Sequence, residues 1–379
     1  MKVKKIMLFA GAALVASSAL VFTSCSDSDD PAGQAAQAKA DNTIAFQALT
    51  PTSTSTRATG VTPTNFLDLM KGFKVWGYYA DGGIHAGQYL IGEEGIGGIL
   101  IDGNGKGSWV YRNSSDEQVW PDQTQGSLNF YALTPAEDAN YSFNGSSVTY
   151  KVPTDQSKQV DLMLAQSNNQ TKATNNGVVA LNFQHQLAQV RFTGVSTLEK
   201  TVYEVKSVSI ANVVNSGNID MKTLDLSLGT QRSNYTAGLA SPVSLKYNKN
   251  LTPSALNDAG GNLLLFPQTL TKWENTKSNR VPVSDADAKG ESYLVIQYRA
   301  YNTLSDGSKS WISGSESSYI TIYLPISAIW KAGNIYTYNL KCGTGTDGFD
   351  PEGGDNNVNI TYTVSVSDWN TVDPKNLDM

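Results

Sequence analysis

The sequence predicts an all-β chain of two tandem antiparallel β-sandwiches, and three observations lead there. Apolar and polar residues alternate in many short runs, the mark of strands with one buried and one wetter face. Turns rich in Gly, Asn, Asp and Ser separate those runs, and helical periods are brief. About 315 of the 379 residues follow a polar leader, too many for one small core and enough for two domains.

The clearest strand runs are residues 73–78, 128–133, 293–301, 319–324 and 335–340. Helical candidates are 65–70 and 327–331, the second closed by Gly333. Gly103-Asn104-Gly105-Lys106-Gly107 is glycine-rich, but strand-like Ser108-Trp109-Val110-Tyr111 follows it, so a hairpin turn explains it better than a phosphate loop. The polar run 166–177 (QSNNQTKATNNG) lacks any apolar period and is the best internal boundary. One sandwich is therefore expected at 58–170 and the other at 178–379. Just past the boundary, Val179, Leu181, Phe183, His185 and Leu187 share one face. Ala188 then shifts the phase, so that Val190 and Phe192 continue it, which predicts a β-bulge. His185 falls on that apolar face with no second histidine nearby and reads as a hydrogen-bonded core residue.

The N-terminus is not part of either sandwich. Lys2, Lys4 and Lys5 precede an apolar run at 6–22, and Thr23-Ser24-Cys25 closes it. Basic head, short apolar middle and small residues at the end describe a secretory signal, here 1–24. A cysteine directly after the small pair is what a lipoprotein signal peptidase requires. Cys25 is thus the expected lipidation site, although Phe22 stands where Leu is more usual. At about 0.8 kcal/mol per buried methylene, several acyl chains would hold the precursor on a membrane. A spanning helix fits less well, because the run is at the short limit and ends on small polar residues. Ser26-Asp27-Ser28-Asp29-Asp30 follows as a solvated acidic tether, and it resembles the tracts that mark surface export of lipoproteins in Bacteroidetes. The leader, 25–57, is too polar to fold alone. Its exception is Asn42-Thr43-Ile44-Ala45-Phe46-Gln47-Ala48-Leu49, a short alternating strand.

Composition excludes several functions. The formal net charge is −6, and the signal carries three lysines and no acid, so the mature chain is near −9. That balance argues against nucleic acid or anionic lipid as main partner. Once Cys25 is acylated, Cys342 is the only thiol left, so no disulfide framework or cysteine metal site forms within one chain. Cys342 reads as a passive strand-end thiol. With two histidines in the chain, a histidine-rich metal site is not expected either, and no cofactor is implied beyond the lipid on Cys25. No Gly-x-Ser-x-Gly elbow, His-Glu-x-x-His, Walker loop or dinucleotide fingerprint is present, and the expectation is that the chain is not an enzyme.

The chain resembles the fimbrillin-like lipoproteins of Bacteroidia, subunits of type V pili. Phe73-Lys74-Val75-Trp76-Gly77-Tyr78-Tyr79, Val119-Trp120-Pro121 and Leu128-Asn129-Phe130-Tyr131-Ala132-Leu133-Thr134-Pro135 carry the likeness in the first half. Val160-Asp161-Leu162-Met163-Leu164-Ala165 and residues 181–192 carry it through the middle. Leu265-Phe266-Pro267-Gln268, residues 330–338 and Val364-Ser365-Val366-Ser367-Asp368-Trp369 complete it. Each piece is ordinary aromatic strand chemistry; their order and spacing make the match. The resemblance implies two transthyretin-like sandwiches, a surface-exposed outer-membrane lipoprotein, and assembly into a fimbrium by strand exchange with other fimbrillin subunits.

Strand exchange needs a plug, a cut and a donor. Ile44, Phe46 and Ala48 alternate on one face and suit a temporary plug strand. Arg57, the first arginine in the chain, lies in the exposed polar segment Thr54-Ser55-Thr56-Arg57-Ala58-Thr59. A trypsin-like, Arg-specific protease would reach it, and maturation between Arg57 and Ala58 would remove Cys25 with its lipid. At the C-terminus, Ile360, Tyr362, Val364 and Val366 share a face beyond the glycine- and acid-rich stretch 343–357, which looks too polar to pack. That strand is either a donor to a neighbouring subunit or the last strand of its own sandwich, with Trp369 capping the core; the sequence leans to the self strand. A stalk, tip or anchor position is left open. The rival reading is a surface lipoprotein that binds glycans, with Trp109, Tyr111 and Trp120 as stacking platforms. A tip adhesin with a host glycan or protein ligand would combine the two.

Overall fold

The structure is a computed structural model and describes residues 42–49, 72–80, 85–93, 97–103, 109–143, 146–257, 261–274, 281–351 and 359–369. Cys25, Arg57, Ala58 and the helical candidate at 65–70 lie outside the described residues.

The first half supplies β1 (Ala45–Leu49), β2 (Gly72–Tyr79), β3 (Tyr89–Ile91), β4 (Ile99–Gly103), β5 (Trp109–Tyr111), β6 (Leu128–Thr134), β7 (Tyr141–Phe143), β8 (Ser147–Lys151), β9 (Met163–Gln170), β10 (Val178–Asn182) and β11 (Gln184–His185). Its main sheet runs β11-β9-β6-β2-β4-β5, with β3 also on β2. Alternation sorts its side chains onto two buried faces. Phe73, Val75, Phe130, Ala132, Met163 and Ala165 enter the core shared with β1 and β10. Trp76, Tyr131, Leu133 and Leu164 enter the larger core that also holds Val148 and Tyr150 of β8. β4 and β5 pair antiparallel with Gly103 opposite Trp109, as a hairpin requires.

The second half supplies β12 (Ala188–Ser196), β13 (Thr201–Val214), β14 (Ser216–Asp220), β15 (Leu226–Leu228), β16 (Arg232–Thr236), β17 (Val243–Leu245), β18 (Ser254–Ala255), β19 (Leu263–Leu265) and β20 (Thr269–Lys272). Helix α1 (Val283–Lys289) follows, then β21 (Glu291–Thr303), β22 (Lys309–Ser313), β23 (Ile320–Pro325), β24 (Ala328–Ile329), β25 (Asn334–Cys342) and β26 (Ile360–Asp368). One sheet runs β18-β12-β25-β26 with β19 on β12. The other runs β16-β13-β21-β20-β24, with β17 on β13 and β22 and β23 on β21. Val190, Phe192, Ile210, Ile296, Ile322 and Tyr338 lie buried in the same large core as Trp76, Tyr131 and Tyr150. The fold is all-β, built of several predominantly antiparallel sheets.

Three expectations need correction. The boundary at 166–177 does not divide the packing, because Val179, Leu181 and Phe183 belong to the first core with β1. In the other direction β14 pairs with β8 from Ser216↔Lys151 to Asp220↔Ser147, so a strand of the second half completes a sheet begun in the first. Nor is the phase shift at Ala188 a bulge within one strand. β10 pairs with β1, β11 with β9, and β12 with β25, so the run passes from one sheet to another. Residues 327–331 are not helical: β24 occupies 328–329 and pairs with β20. Among the described residues, helix α1 ends on Gly290 in the left-handed conformation at φ 71°.

The N-terminal strand and its groove

β1 lies parallel to β10 in register from Ala45↔Val178 to Leu49↔Asn182. Just ahead of it the chain is fastened on its other side to the segment before Trp120. Thr43 bridges Val119 antiparallel, the Ile44 amide donates to the Gln118 carbonyl at 2.8 Å, and the Trp120 amide donates to the Asn42 carbonyl at 2.9 Å. The Asn42 side-chain amide returns a bond to the Trp120 carbonyl at 2.8 Å. Beyond β1, the Phe183 amide donates to the Leu49 carbonyl at 2.8 Å. β1 is thus hydrogen-bonded along its length to β10, while residues 42–44 just ahead of it are bonded to 118–120.

Its side chains fill the core. Ile44 and Phe46 are buried to 0% and 1% exposure, and Ala48 to 6%. The Phe46 ring meets Phe73, Tyr111 and Phe130 edge-on at centroid distances of 6.2, 5.9 and 5.8 Å, the geometry that aromatic quadrupoles favour. Burying Ile44 and Phe46 stabilises the strand by about 1.5–3 kcal/mol apiece. The three residues expected from the sequence to form a plug are buried in one core.

The three aromatics considered as sugar platforms line this groove instead. Trp109 and Trp120 are buried. Trp109 packs on Phe73 at 5.1 Å, and the Trp120 indole N–H donates to the Gly177 carbonyl at 3.1 Å. Tyr111 is half-buried and donates its hydroxyl to the Ile44 carbonyl at 3.0 Å. Burial pushes its phenol well above the usual value, so it acts as a neutral donor. None of the three offers a free ring face for stacking in the way a glycan platform would.

At the other end of the chain, β26 pairs antiparallel with β25 from Asn334↔Asp368 to Cys342↔Ile360. Ile360 is buried, Tyr362 and Val364 are half-buried, and Val366 is 56% exposed. The stretch expected to be too polar to pack is partly fastened down. Phe349 bridges Tyr323 and meets the Trp273 ring at 4.9 Å, and the Gly348 amide donates to the Ile360 carbonyl at 3.1 Å. Trp369 is buried, and its ring stacks on His185 at 4.0 Å with an interplanar angle of 5°. His185 Nδ1 lies 2.9 Å from Asp161 Oδ2, with both side chains almost wholly buried. His185 is thus a hydrogen-bonded core residue. Its partner Asp161 was not singled out from the sequence, although an acid inside the apolar run Val160-Asp161-Leu162-Met163 was the available signal.

Comparison with known proteins then identifies the chain. The family model described as fimbrillin-like matches residues 56–369. The chain belongs to the fimbrillin-like family. Among solved structures, a fimbrial protein from Bacteroides vulgatus ATCC 8482 matches with a TM-score of 0.60 at 17% identity, covering 87% of this chain and 100% of that one. That likeness shows a shared fold. A fimbrilin from Porphyromonas gingivalis W83 matches at 13% identity and a TM-score of 0.44, over 87% of this chain and 98% of its own. A C-terminally truncated tip fimbrial protein from Porphyromonas gingivalis matches at 13% identity and a TM-score of 0.34, over 83% and 97%. No curated protein sequence matches the chain. Among the described residues of this fimbrillin-like protein, no helix is long and apolar enough to cross a membrane.

Proposed function

We propose that the chain is a structural and adhesive fimbrial subunit, exported as a lipoprotein through Cys25 and assembled by protease-triggered donor-strand exchange. One observation carries this reading: β1 is a short separate strand that, among the described strands, pairs with β10 alone, and with Ile44 just ahead of it buries Phe46 and Ala48 in the first core. A cut between Arg57 and Ala58 by a trypsin-like, Arg-specific protease falls between β1 and β2 and severs β1 from the body of the protein. The lipid on Cys25 leaves with it, so the outer membrane holds the precursor and the fimbrium receives the matured subunit.

The vacated groove exposes Phe73, Phe130, Val179 and Phe183 together with unpaired backbone on β10, a surface that another subunit's strand can cover. Ile360, Tyr362 and Val364 repeat the spacing of Ile44, Phe46 and Ala48, with an aromatic ring in the middle. β26 of a second copy therefore has the side-chain pattern that the groove accommodates, provided it first leaves β25. The expected partners are other fimbrillin subunits, and adhesion to a host glycan or protein belongs to the assembled fibre. Family membership points to a structural role without catalysis. Cleavage of purified protein after Arg57, followed by mild heating in SDS, tests the reading. Multimers that resist SDS are expected only from the cut protein; a cut protein that loses β1 and stays monomeric overturns it.

A further inference from the structure

We propose that Trp369 is a latch that couples the seating of the C-terminal strand β26 to occupancy of the β1 groove. The biological meaning rests on β1 being the removable strand, but the coupling itself does not.

The contacts form one short chain. β10 is the strand on which β1 lies, and the Phe183 amide directly after it donates to the Leu49 carbonyl. Two residues on, His185 carries the Trp369 ring on its face at 4.0 Å. Asp161, two residues ahead of β9, fixes the imidazole. The backbone repeats the linkage: the Gly333 amide donates to the Leu187 carbonyl at 2.9 Å, and the Trp369 amide donates to the Gly333 carbonyl at 2.7 Å. Trp369 is thus held by ring and backbone to the five residues that follow β10. It is also the first residue beyond β26.

Burial and exposure say why the hold is concentrated there. β26 is an edge strand, since its sheet ends on it. Along it, Ile360 is buried at the start, while Val366 near the end is 56% exposed. Cross-strand bonds to β25 hold the strand on one side only, so its last residues depend on Trp369 for buried area. The indole N–H of Trp369 has no acceptor among the described residues, where stacking and burial hold the side chain. A seat made of the 183–187 segment is only as firm as that segment. β1 firms it by pairing with β10 and capping the Phe183 amide. Emptying the groove therefore loosens the seat, and unseating Trp369 loosens the groove, because coupling between two sites is reciprocal. The consequence is an order of events in which loss of β1 primes β26 for release in the same molecule.

Amide hydrogen exchange on the uncut, full chain tests this with no proteolysis. Trp369→Ala is expected to speed exchange at Val178–Asn182 and Ala45–Leu49 by at least about tenfold, within the usual range of coupling between sites. Ile360→Ala, a buried truncation at the far end of β26, serves as the control and is expected to speed exchange in β26 alone. Phe46→Ala supplies the reverse direction and is expected to speed exchange at residues 366–369. If Trp369→Ala fails to fold, Trp369→Phe is read against the same control. The proposal is overturned if the Trp369 variant perturbs β26 and leaves β1 and β10 at the wild-type rate, or if it matches Ile360→Ala. Neither result depends on whether cut protein polymerises.

Discussion

Replacing Phe46 with alanine isolates the strand that the functional reading depends on. Phe46 is 1% exposed, and three aromatic rings lie edge-on to it at 5.8–6.2 Å. A buried Phe→Ala truncation costs about 3–5 kcal/mol, which raises the local opening constant of β1 by roughly a hundred- to several-thousand-fold. Because β1 pairs with β10 alone among the described strands, the loss is expected to appear as local opening before global unfolding. Exchange should accelerate at Ala45–Leu49 and at its partner Val178–Asn182, while β13 and β21 stay protected. Binding of an apolar dye should rise as Phe73, Phe130 and Phe183 become accessible. Gln47→Ala is the matched control: Gln47 lies on the opposite, half-buried face of the same strand, and its loss should change stability by less than about 0.5 kcal/mol. If the two variants open β1 equally, the groove does not hold the strand by its side chains, and the account of the plug is wrong.

Other substitutions test the surrounding fold. Burial raises the Cys342 thiol to about 12, so iodoacetamide at pH 8 should leave the folded protein unlabelled and react fully in urea. By linkage, this group's contribution is complete below about pH 9 and is lost as pH rises through 9 toward 12, because only the unfolded thiol ionises in that window. Asn212 has φ 57°, and its side-chain amide donates to the Glu291 carbonyl at 2.9 Å and the Ala286 carbonyl at 3.2 Å. Asn212→Ala should therefore lower stability by about 2–4 kcal/mol in chemical denaturation and expose α1 to protease. Trp120→Phe removes the bond to the Gly177 carbonyl while keeping a ring. It should cost about 1–3 kcal/mol, the range for leaving a buried acceptor unpaired, and the loss should show first as faster exchange at Thr43 and Ile44.

Strand identity was legible because period-two alternation reports burial of one face, and runs such as 73–78 and 335–340 lie within β2 and β25. The partner of each strand was less legible. Val179 to Phe192 reads as one strand with a slip, yet three sheets share it, because alternation says which residues are buried and not against what. The same limit hid the pairing of β14 with β8, whose residues are 65 or more positions apart in sequence. α1 was overlooked because Ser284, Asp285 and Asp287 look like turn residues, although Pro282 before it and Gly290 after it are helix punctuation. The plug strand was found because Ile44, Phe46 and Ala48 alternate inside an otherwise polar leader. The seat for Trp369 was not, because Asp161, His185 and Gly333 converge only in three dimensions. Trp109 and Trp120 were open to two readings until their rings were seen around β1.

Maturation-dependent polymerisation tests the central claim most directly. The full chain and its Arg57→Ala variant are treated with an Arg-specific protease, heated mildly in SDS and separated by size, with N-terminal sequencing of each band. The account predicts a ladder of multimers from the wild type, each band beginning at Ala58, and monomer alone from the variant. A ladder of equal strength from uncut protein, or multimers that retain residues 42–49, would contradict it.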